Sequence, residues 1–173
     1  MGNCGFGIVP SPPPLRDLIM RNLAIVEGMH LDALRAGIDW RFQSFAEYMT
    51  MLRGRGPYMN LGALVGHSAV RTAVMGEDAS VRKQPTAAEL AEMKRLVAEA
   101  MDQGAIGLGA SYPLNHSGWG GVPMPSTISD LSEFDALVGA MGGPGRGVVK
   151  FPPARSRPTR WRRSPRGMAT ASS

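Results

Sequence analysis

The sequence has one cysteine, three histidines and no long apolar segment in its 173 residues. A single cysteine cannot form an intramolecular disulfide, which is typical of proteins from a reducing compartment, so the sequence predicts a cytoplasmic protein. No apolar run approaches the roughly 18 residues that a membrane-spanning helix needs. The N-terminus lacks a basic segment followed by an apolar one, so we expect no signal peptide.

Several motifs that define common enzyme classes are also missing. There is no glycine-rich dinucleotide-binding fingerprint after a strand and no phosphate-binding loop. Neither the Gly-x-Ser-x-Gly elbow of serine hydrolases nor the His-Glu-x-x-His helix of zinc proteases occurs. The remaining reactive groups are one thiol, a few loop histidines and glycine-rich strand ends. Such a set is compatible with a metal site assembled from several strands.

Positive charge is concentrated at the C-terminal end. Of the 19 lysines and arginines, eight lie between Arg146 and Ser173, a stretch without acidic residues. The other 11 stand against 14 acidic residues, so residues 1–145 carry a net negative charge. The formal charge of +5 therefore belongs to the tail. Clustered arginines with Trp161 as the single aromatic residue among them predict at most salt-sensitive, non-specific contact with nucleic acid. We expect neither a specific nucleic acid nor a membrane as partner.

Helix-like and strand-like patterns alternate along residues 1–151. A helix is predicted over 15–27, and two more begin at Ser44 and Thr86, each followed three residues later by a glutamate as in a capping box. A fourth helix has Asp130 as its cap and Glu133 three residues on. Strands buried in a parallel sheet give short continuous apolar runs, and three occur, at 61–65, 105–108 and 148–151. The pattern predicts an α/β fold with about three parallel strands and crossover helices, in a partial (β/α) barrel or an open sheet.

The composition changes at residue 152. Residues 152–173 are rich in proline, arginine, serine and threonine, and no apolar period continues into them. One interpretation is a disordered basic tail. The other is a shifted reading frame in a GC-rich coding sequence, because the switch directly follows a strand-like segment. The sequence thus predicts two parts, a partial barrel over residues 1–151 and a tail over residues 152–173.

A few residues could carry chemistry. Cys4 is flanked by glycines that let the backbone approach a ligand closely, so its thiolate could bind zinc; the alternative is an inert, buried side chain. His67 directly follows a predicted strand, where α/β proteins place active-site groups, or else it bonds to neighbouring backbone. His116 lies with Tyr112 in a long glycine-rich loop that suits a polar substrate carrying an apolar group.

A resemblance to a known family rests on an ordered set of motifs. The segment near the N-terminus is Gly2-Asn3-Cys4-Gly5-Phe6, followed by Ile8-x-Pro10. It resembles the strand-end motif of the N-acyl-D-amino-acid deacylases, the D-aminoacylase branch of the amidohydrolase superfamily. Further similarity extends to about residue 149, in the family's order: Val26-Glu27-Gly28-Met29, the Trp40 region, Ser44-Phe45-x-Glu47-Tyr48, Asn60-Leu61-x-Ala63-Leu64-Val65-Gly66-His67-Ser68-x-Val70-Arg71, Ala73-Val74-Met75-Gly76 and Gly104-Ala105-Ile106-Gly107-Leu108.

This resemblance implies a (β/α)8 barrel with a small β-domain and a zinc-dependent hydrolase. The reaction it implies is cleavage of the amide bond of N-acyl-D-amino acids by metal-activated water. Cys4 matches the family's cysteine ligand, whereas the other ligands have no counterpart here: a His-x-His strand, two later histidines and an aspartate that also acts as general base. His67 matches a family histidine outside the ligand set, so we expect it either behind the metal ligands or on the substrate side. Tyr112 falls in the segment that lines the family's substrate pocket.

The resemblance also predicts what this chain lacks. An internal piece of the enzyme with one zinc ligand is expected to be inactive in isolation. The implied cofactor is zinc, and the family's substrate is a small N-acyl amino acid. The alternative is a non-catalytic α/β binding module. It would use either the loop around His116 for a ligand or the basic tail for nucleic acid or an anionic surface.

Overall fold

The computed structural model describes residues 1–2, 4–113, 116–143 and 145–150, together with two short strands in the tail. The helices in this part of the chain are α1 (Arg16–Val26), α2 (Leu31–Gly37), α3 (Phe45–Gly54), α4 (His67–Met75), α5 (Ala87–Asp102), α6 (Pro125–Ile128) and α7 (Leu131–Gly139). Short 3-10 helices occupy Pro13–Leu15, Gly76–Ser80 and Trp119–Gly121. Among the helices described, none is long and apolar enough to cross a membrane.

Three parallel strands form the central sheet. They are β1 (Leu64–Gly66), β2 (Gly107–Gly109) and β3 (Val148–Lys150), in that spatial order. Helices α4 and α5 connect β1 to β2, and α6 and α7 connect β2 to β3, because parallel strands need a crossover rather than a tight hairpin. The predicted α/β fold with about three parallel strands and crossover helices is confirmed.

The main core lies where α5 and α7 pack on the sheet. Each of these helices carries apolar residues at helical spacing, and β1 and β2 contribute one buried apolar side chain each. The buried side chains of this core include Val65, Met93, Val97, Leu108, Phe134 and Leu137. Burial of a side chain of this size contributes roughly 1.5–3 kcal/mol, so the packing of α5 and α7 holds the strands in register.

The two predicted capping boxes are present. Ser44 Oγ accepts a hydrogen bond from the Glu47 backbone at 3.3 Å, and the Glu47 carboxylate accepts from the Ser44 backbone at 2.9 Å. Thr86 and Glu89 form the same pair of bonds at 3.2 and 2.7 Å. Each box satisfies backbone donors that have no partner within the helix, and so fixes where α3 and α5 begin.

Two sequence-based expectations need correction. Asp130 is the N-cap residue of α7 but makes no capping hydrogen bond. Its carboxylate instead binds Lys83 at 2.8 Å and Gln84 at 2.7 Å. The last strand was expected to be buried on both faces, yet Val148 and Val149 are 56% and 36% exposed. Among the described strands, β3 has a neighbour only on the β2 side, so little covers these valines.

The tail contributes two strands to the described residues. β4 (Trp161–Arg163) pairs with β5 (Ala169–Ala171) in antiparallel register. The interpretations of residues 152–173 as a disordered or frame-shifted tail otherwise fall on positions outside the described residues.

Candidate functional site

The N-terminal residues lie beside β1. The Leu64 backbone N–H donates to the Met1 carbonyl at 2.9 Å, and the Met1 ammonium donates to the Gly62 carbonyl at 2.7 Å. The Ala63 carbonyl points the other way, because it accepts a hydrogen bond from the backbone N–H of Ile106, the residue directly before β2. The N-terminal segment therefore occupies the edge of β1 opposite β2 and runs in the same direction, which the apolar pattern of the sequence did not reveal.

A tight turn then carries the chain across the carboxyl ends of β1 and β2. The Gly5 N–H donates to the Gly2 carbonyl at 3.2 Å, and the Gly5 carbonyl accepts from Ser68 at the start of α4 at 2.9 Å. Gly5 has φ +75°, and a Cβ atom there would lie 2.5 Å from the Ala110 Cα, so only glycine fits. Cys4, inside this turn, is thereby fixed at the carboxyl ends of the two strands.

The surroundings of Cys4 are apolar. Its free, partly buried side chain packs on a cluster that contains Phe6, Ile19 and Met124. Across the residues that the structure describes, no three His, Cys, Asp or Glu side chains come together as a metal-binding group. Zinc sites need at least three protein ligands, so the described residues do not form one. Cys4 therefore lies at the expected end of the sheet, with no other metal-binding side chain grouped around it in the described part of the chain.

His67 lies at the same end of the sheet, but its side chain points into the interior. It is the first residue of α4, directly after β1, and is fully buried. Its Nε2 lies 2.6 Å from Oε1 of Glu133 on α7, and its ring is 5.6 Å from Phe134 and 6.2 Å from Tyr112. Of the two ring nitrogens, only Nδ1 has no hydrogen-bond partner in the described part of the chain.

Arg71, one helical turn beyond His67, completes a buried charge cluster. Its guanidinium binds the second carboxylate oxygen of Glu133. It also donates to the backbone carbonyls of Ala79, at 2.9 Å, and of Arg82 and Lys83. Burial alone would raise the pKa of Glu133, but the hydrogen bonds and charges of His67 and Arg71 outweigh it and lower that pKa. Sequence inspection missed Arg71 and Glu133, although the i, i+4 spacing of His67 and Arg71 was visible.

A second buried network holds the segment after β2. Ser126 Oγ donates to the Ser111 carbonyl at 2.7 Å and accepts from Ser68 Oγ at 2.8 Å. Ser129 Oγ donates to the Ser126 carbonyl at 3.0 Å and pairs with the Tyr112 hydroxyl at 3.1 Å. Burial raises the pKa of Tyr112. Tyr112 is therefore a protonated, buried side chain, and the short helix α6 is tied to the start of α4.

The loop with His116 is folded back on itself. The Met124 N–H donates to the His116 carbonyl at 3.1 Å, and the Gly118 N–H donates to the Val122 carbonyl at 2.7 Å. His116 is partly buried, and its Nδ1 has no partner in the portion described. Because Met124 packs in the same cluster as Cys4, the structure brings this loop to the end of the sheet where Cys4 lies. It does not bring the His67 side chain there.

Comparison with solved structures defines the class of protein. A D-aminoacylase variant solved in copper chloride aligns with 86% of this chain at 27% identity and a TM-score of 0.56. N-acyl-D-glutamate deacylase from Bordetella bronchiseptica, complexed with zinc and a phosphonate inhibitor, aligns with 82% of the chain at 24% identity and the same TM-score. These neighbours are amidohydrolase barrels, so the described strands and helices correspond to part of such a barrel. No family model matches the chain.

Sequence relatives agree with the structural neighbours. D-aminoacylase of Alcaligenes xylosoxydans xylosoxydans is 37% identical over 117 residues, 65% of this chain and 21% of that enzyme. N-acyl-D-glutamate deacylase of the same organism is 30% identical over 141 residues, 82% of this chain and 25% of that enzyme. The homologues of this chain are thus D-aminoacylases and N-acyl-D-glutamate deacylases of the amidohydrolase superfamily, which confirms the predicted resemblance. The chain spans about a quarter of their length or less.

Proposed function

We propose that this chain is a segment of a metal-dependent amidohydrolase for N-acyl-D-amino acids, and that the 173-residue chain does not catalyse this reaction alone. The observation that carries the proposal is the position of Cys4. Its thiol lies at the carboxyl ends of parallel strands, where (β/α) barrels assemble their active sites, and the described residues supply no further ligands around it.

The surroundings of Cys4 and of the loop with His116 support a different role for each. In this proposal Cys4 contributes one thiolate to a zinc site that other strands must complete, and the loop with His116 forms part of the wall on the substrate side. Tyr112 supports that wall through its bond to Ser129. His67 lies in the interior behind this wall and supports it, since its fully buried ring is held by Glu133 rather than facing a ligand. The free thiol suits a reducing compartment such as the cytoplasm.

The test is a deacylase assay on the purified 173-residue chain. We expect no release of acid from N-acetyl-D-glutamate or N-acetyl-D-methionine above the uncatalysed rate, with or without added zinc, because one thiolate cannot hold a catalytic ion. Cys4→Ser is the matched control and should behave identically. Zinc-dependent turnover by the wild-type chain that disappears in Cys4→Ser would overturn the proposal of an incomplete site.

A further inference from the structure

A separate cavity lies between α1, the end of α4 and the loop around Trp119. Its volume is about 250 Å³, and its walls include Arg21 and Asn22 of α1, Glu77 and Val81 beyond α4, and Trp119 and Val122 of the loop. The volume is below that of typical drug-sized pockets and suits a ligand with one ring or a short alkyl chain. Neither Cys4 nor His67 lines this cavity.

The rim of this cavity carries exposed apolar side chains. Val81 is 75% exposed, Val122 45% and Trp119 42%. Single exposed apolar residues are common, whereas three around one concave surface mark a place where a ligand can bury apolar area. The rim is also fixed in place, because the Trp119 N–H donates to the buried Asn22 side chain at 3.1 Å. A Cβ at Gly118 would lie 2.4 Å from Asn22 Oδ1, so the close approach of loop and helix requires glycine there.

The charges around the cavity favour a cation. Arg21 pairs with Asp17 at 2.7 Å, and Arg35 pairs with the same carboxylate at 2.8 Å and with Asp32 at 3.4 Å, so two acidic groups match these two arginines. Glu77 is exposed and forms no ion pair within the described residues. Next to it, Asp78 shares Arg82 with a second carboxylate, that of Glu89. The wall beyond α4 therefore has an excess of negative charge, and the face of an indole ring also attracts cations.

We propose that this cavity binds a small organic ammonium ion with an apolar body. The apolar part lies against Trp119, Val81 and Val122, and the ammonium group lies near the Glu77 carboxylate. The cavity shares the His116 loop with the proposed substrate-side wall, but neither Cys4 nor His116 lines it, and its test measures ligand binding rather than deacylation. Failure of one proposal therefore leaves the other standing.

The experiment is a titration of the full 173-residue chain with three probes of nearly equal shape. Calorimetry and the amide and indole NMR signals of the protein measure binding. The probes are 2-phenylethylammonium, neutral 2-phenylethanol and anionic 3-phenylpropionate. We expect saturable binding of the ammonium with a dissociation constant on the order of 1 mM, as befits a ligand of so few atoms, and a shifted Trp119 indole signal. Both other probes should bind more weakly. Tighter binding of 3-phenylpropionate would show that Arg21 dominates and would overturn the proposal, as would the absence of saturable binding.

Variants separate the apolar contact from the charge. Trp119→Ala should weaken the binding of 2-phenylethylammonium about tenfold, because it removes both the apolar surface and the cation–π contact. Val81→Ser, at a site too exposed to affect folding, should weaken all three probes. Glu77→Gln should weaken the binding of the ammonium probe alone, by about threefold in the dissociation constant, as expected for an exposed charge pair. Glu27→Gln, an equal charge change outside the cavity, should leave every dissociation constant unchanged. Equal effects of Glu77→Gln and Glu27→Gln would contradict the assigned position of the ammonium group.

Discussion

The turn around Cys4 and the interior behind His67 lie at the same end of the sheet but differ in how far their polar groups are satisfied. The Cys4 thiol packs among apolar side chains and has no metal-binding companions in the described part of the chain. Behind it, both oxygens of the Glu133 carboxylate have charged or ring partners, and the Arg71 guanidinium also binds three backbone carbonyls.

This difference separates residues that hold the fold from Cys4, which we propose as a metal ligand. The groups that stabilise α4 and α7 find their partners within 70 residues of sequence, so one segment of a barrel can satisfy them. A metal site instead draws ligands from strands distributed around the whole barrel, and this chain spans about a quarter of its relatives or less. We therefore expect a segment that folds but is chemically incomplete.

The largest effect is expected from Glu133→Gln. The substitution leaves the buried Arg71 guanidinium without a counter-charge, which typically costs 3–5 kcal/mol of unfolding free energy. Denaturant unfolding monitored by circular dichroism measures it. Asp135→Asn, on the exposed side of the same helix, is the matched control and should change stability by less than about 0.5 kcal/mol. If the two variants unfold alike, the buried cluster does not hold α7 to α4.

A smaller loss is expected from Ser126→Ala. It removes the donor to the Ser111 carbonyl and the acceptor for Ser68 Oγ, and leaving such buried groups unsatisfied costs about 1–3 kcal/mol. The same unfolding experiment applies, with the exposed Ser132→Ala as control. An unchanged midpoint for Ser126→Ala would show that α6 is not tied to α4 by this network.

The ion pair at the start of α5 should give a pH dependence. Hydrogen bonds from Arg82, and next from the Thr86 backbone, lower the pKa of Glu89 from its ordinary value of 4.5 to about 2. A depressed folded-state pKa contributes stability that is complete above pH 4.5 and is lost as the pH falls towards 2. Thermal melts across this window should show a shallower decline for Glu89→Gln than for wild type. A parallel decline in both would remove Glu89 as a source of acid sensitivity.

The smallest effect is expected from deletion of residues 152–173. The tail sequence offers no apolar face that could dock on the body, so the thermal midpoint should stay within experimental error. A clear fall in the midpoint would show that the tail packs on residues 1–151 and is part of the folded unit.

Local residue spacing predicted most of the helices and strands, whereas the side-chain contacts between residues distant in sequence could not be predicted. The capping boxes at Ser44 and Thr86 and the three strands follow from residue spacing. The same spacing at Asp130 suggested a third box, but Glu133 turns inward to residues more than 60 positions away, and nothing in the local pattern encodes that pairing. Helix α2, with one buried residue, was too short and weakly patterned to recognise.

The candidate site shows the same limit. The position of Cys4 at the strand ends was predicted from the resemblance. The strand-like pairing of the first residues with β1 was not predicted, because glycines and a single methionine give no apolar period. From the resemblance, His67 was expected either behind the metal ligands or on the substrate side; the structure shows its ring bonded to Glu133 in the interior.

Zinc binding by the full 173-residue chain would show directly whether Cys4 can hold a metal ion without ligands from other strands. The chain is equilibrated with zinc, freed of excess ion on a desalting column and analysed for metal, alongside Cys4→Ser; accessibility of the thiol to an alkylating reagent is followed with and without zinc. The account predicts zinc well below one ion per chain in both proteins and alkylation of Cys4 that zinc does not slow. One zinc per wild-type chain, lost in Cys4→Ser and protecting the thiol, would contradict it.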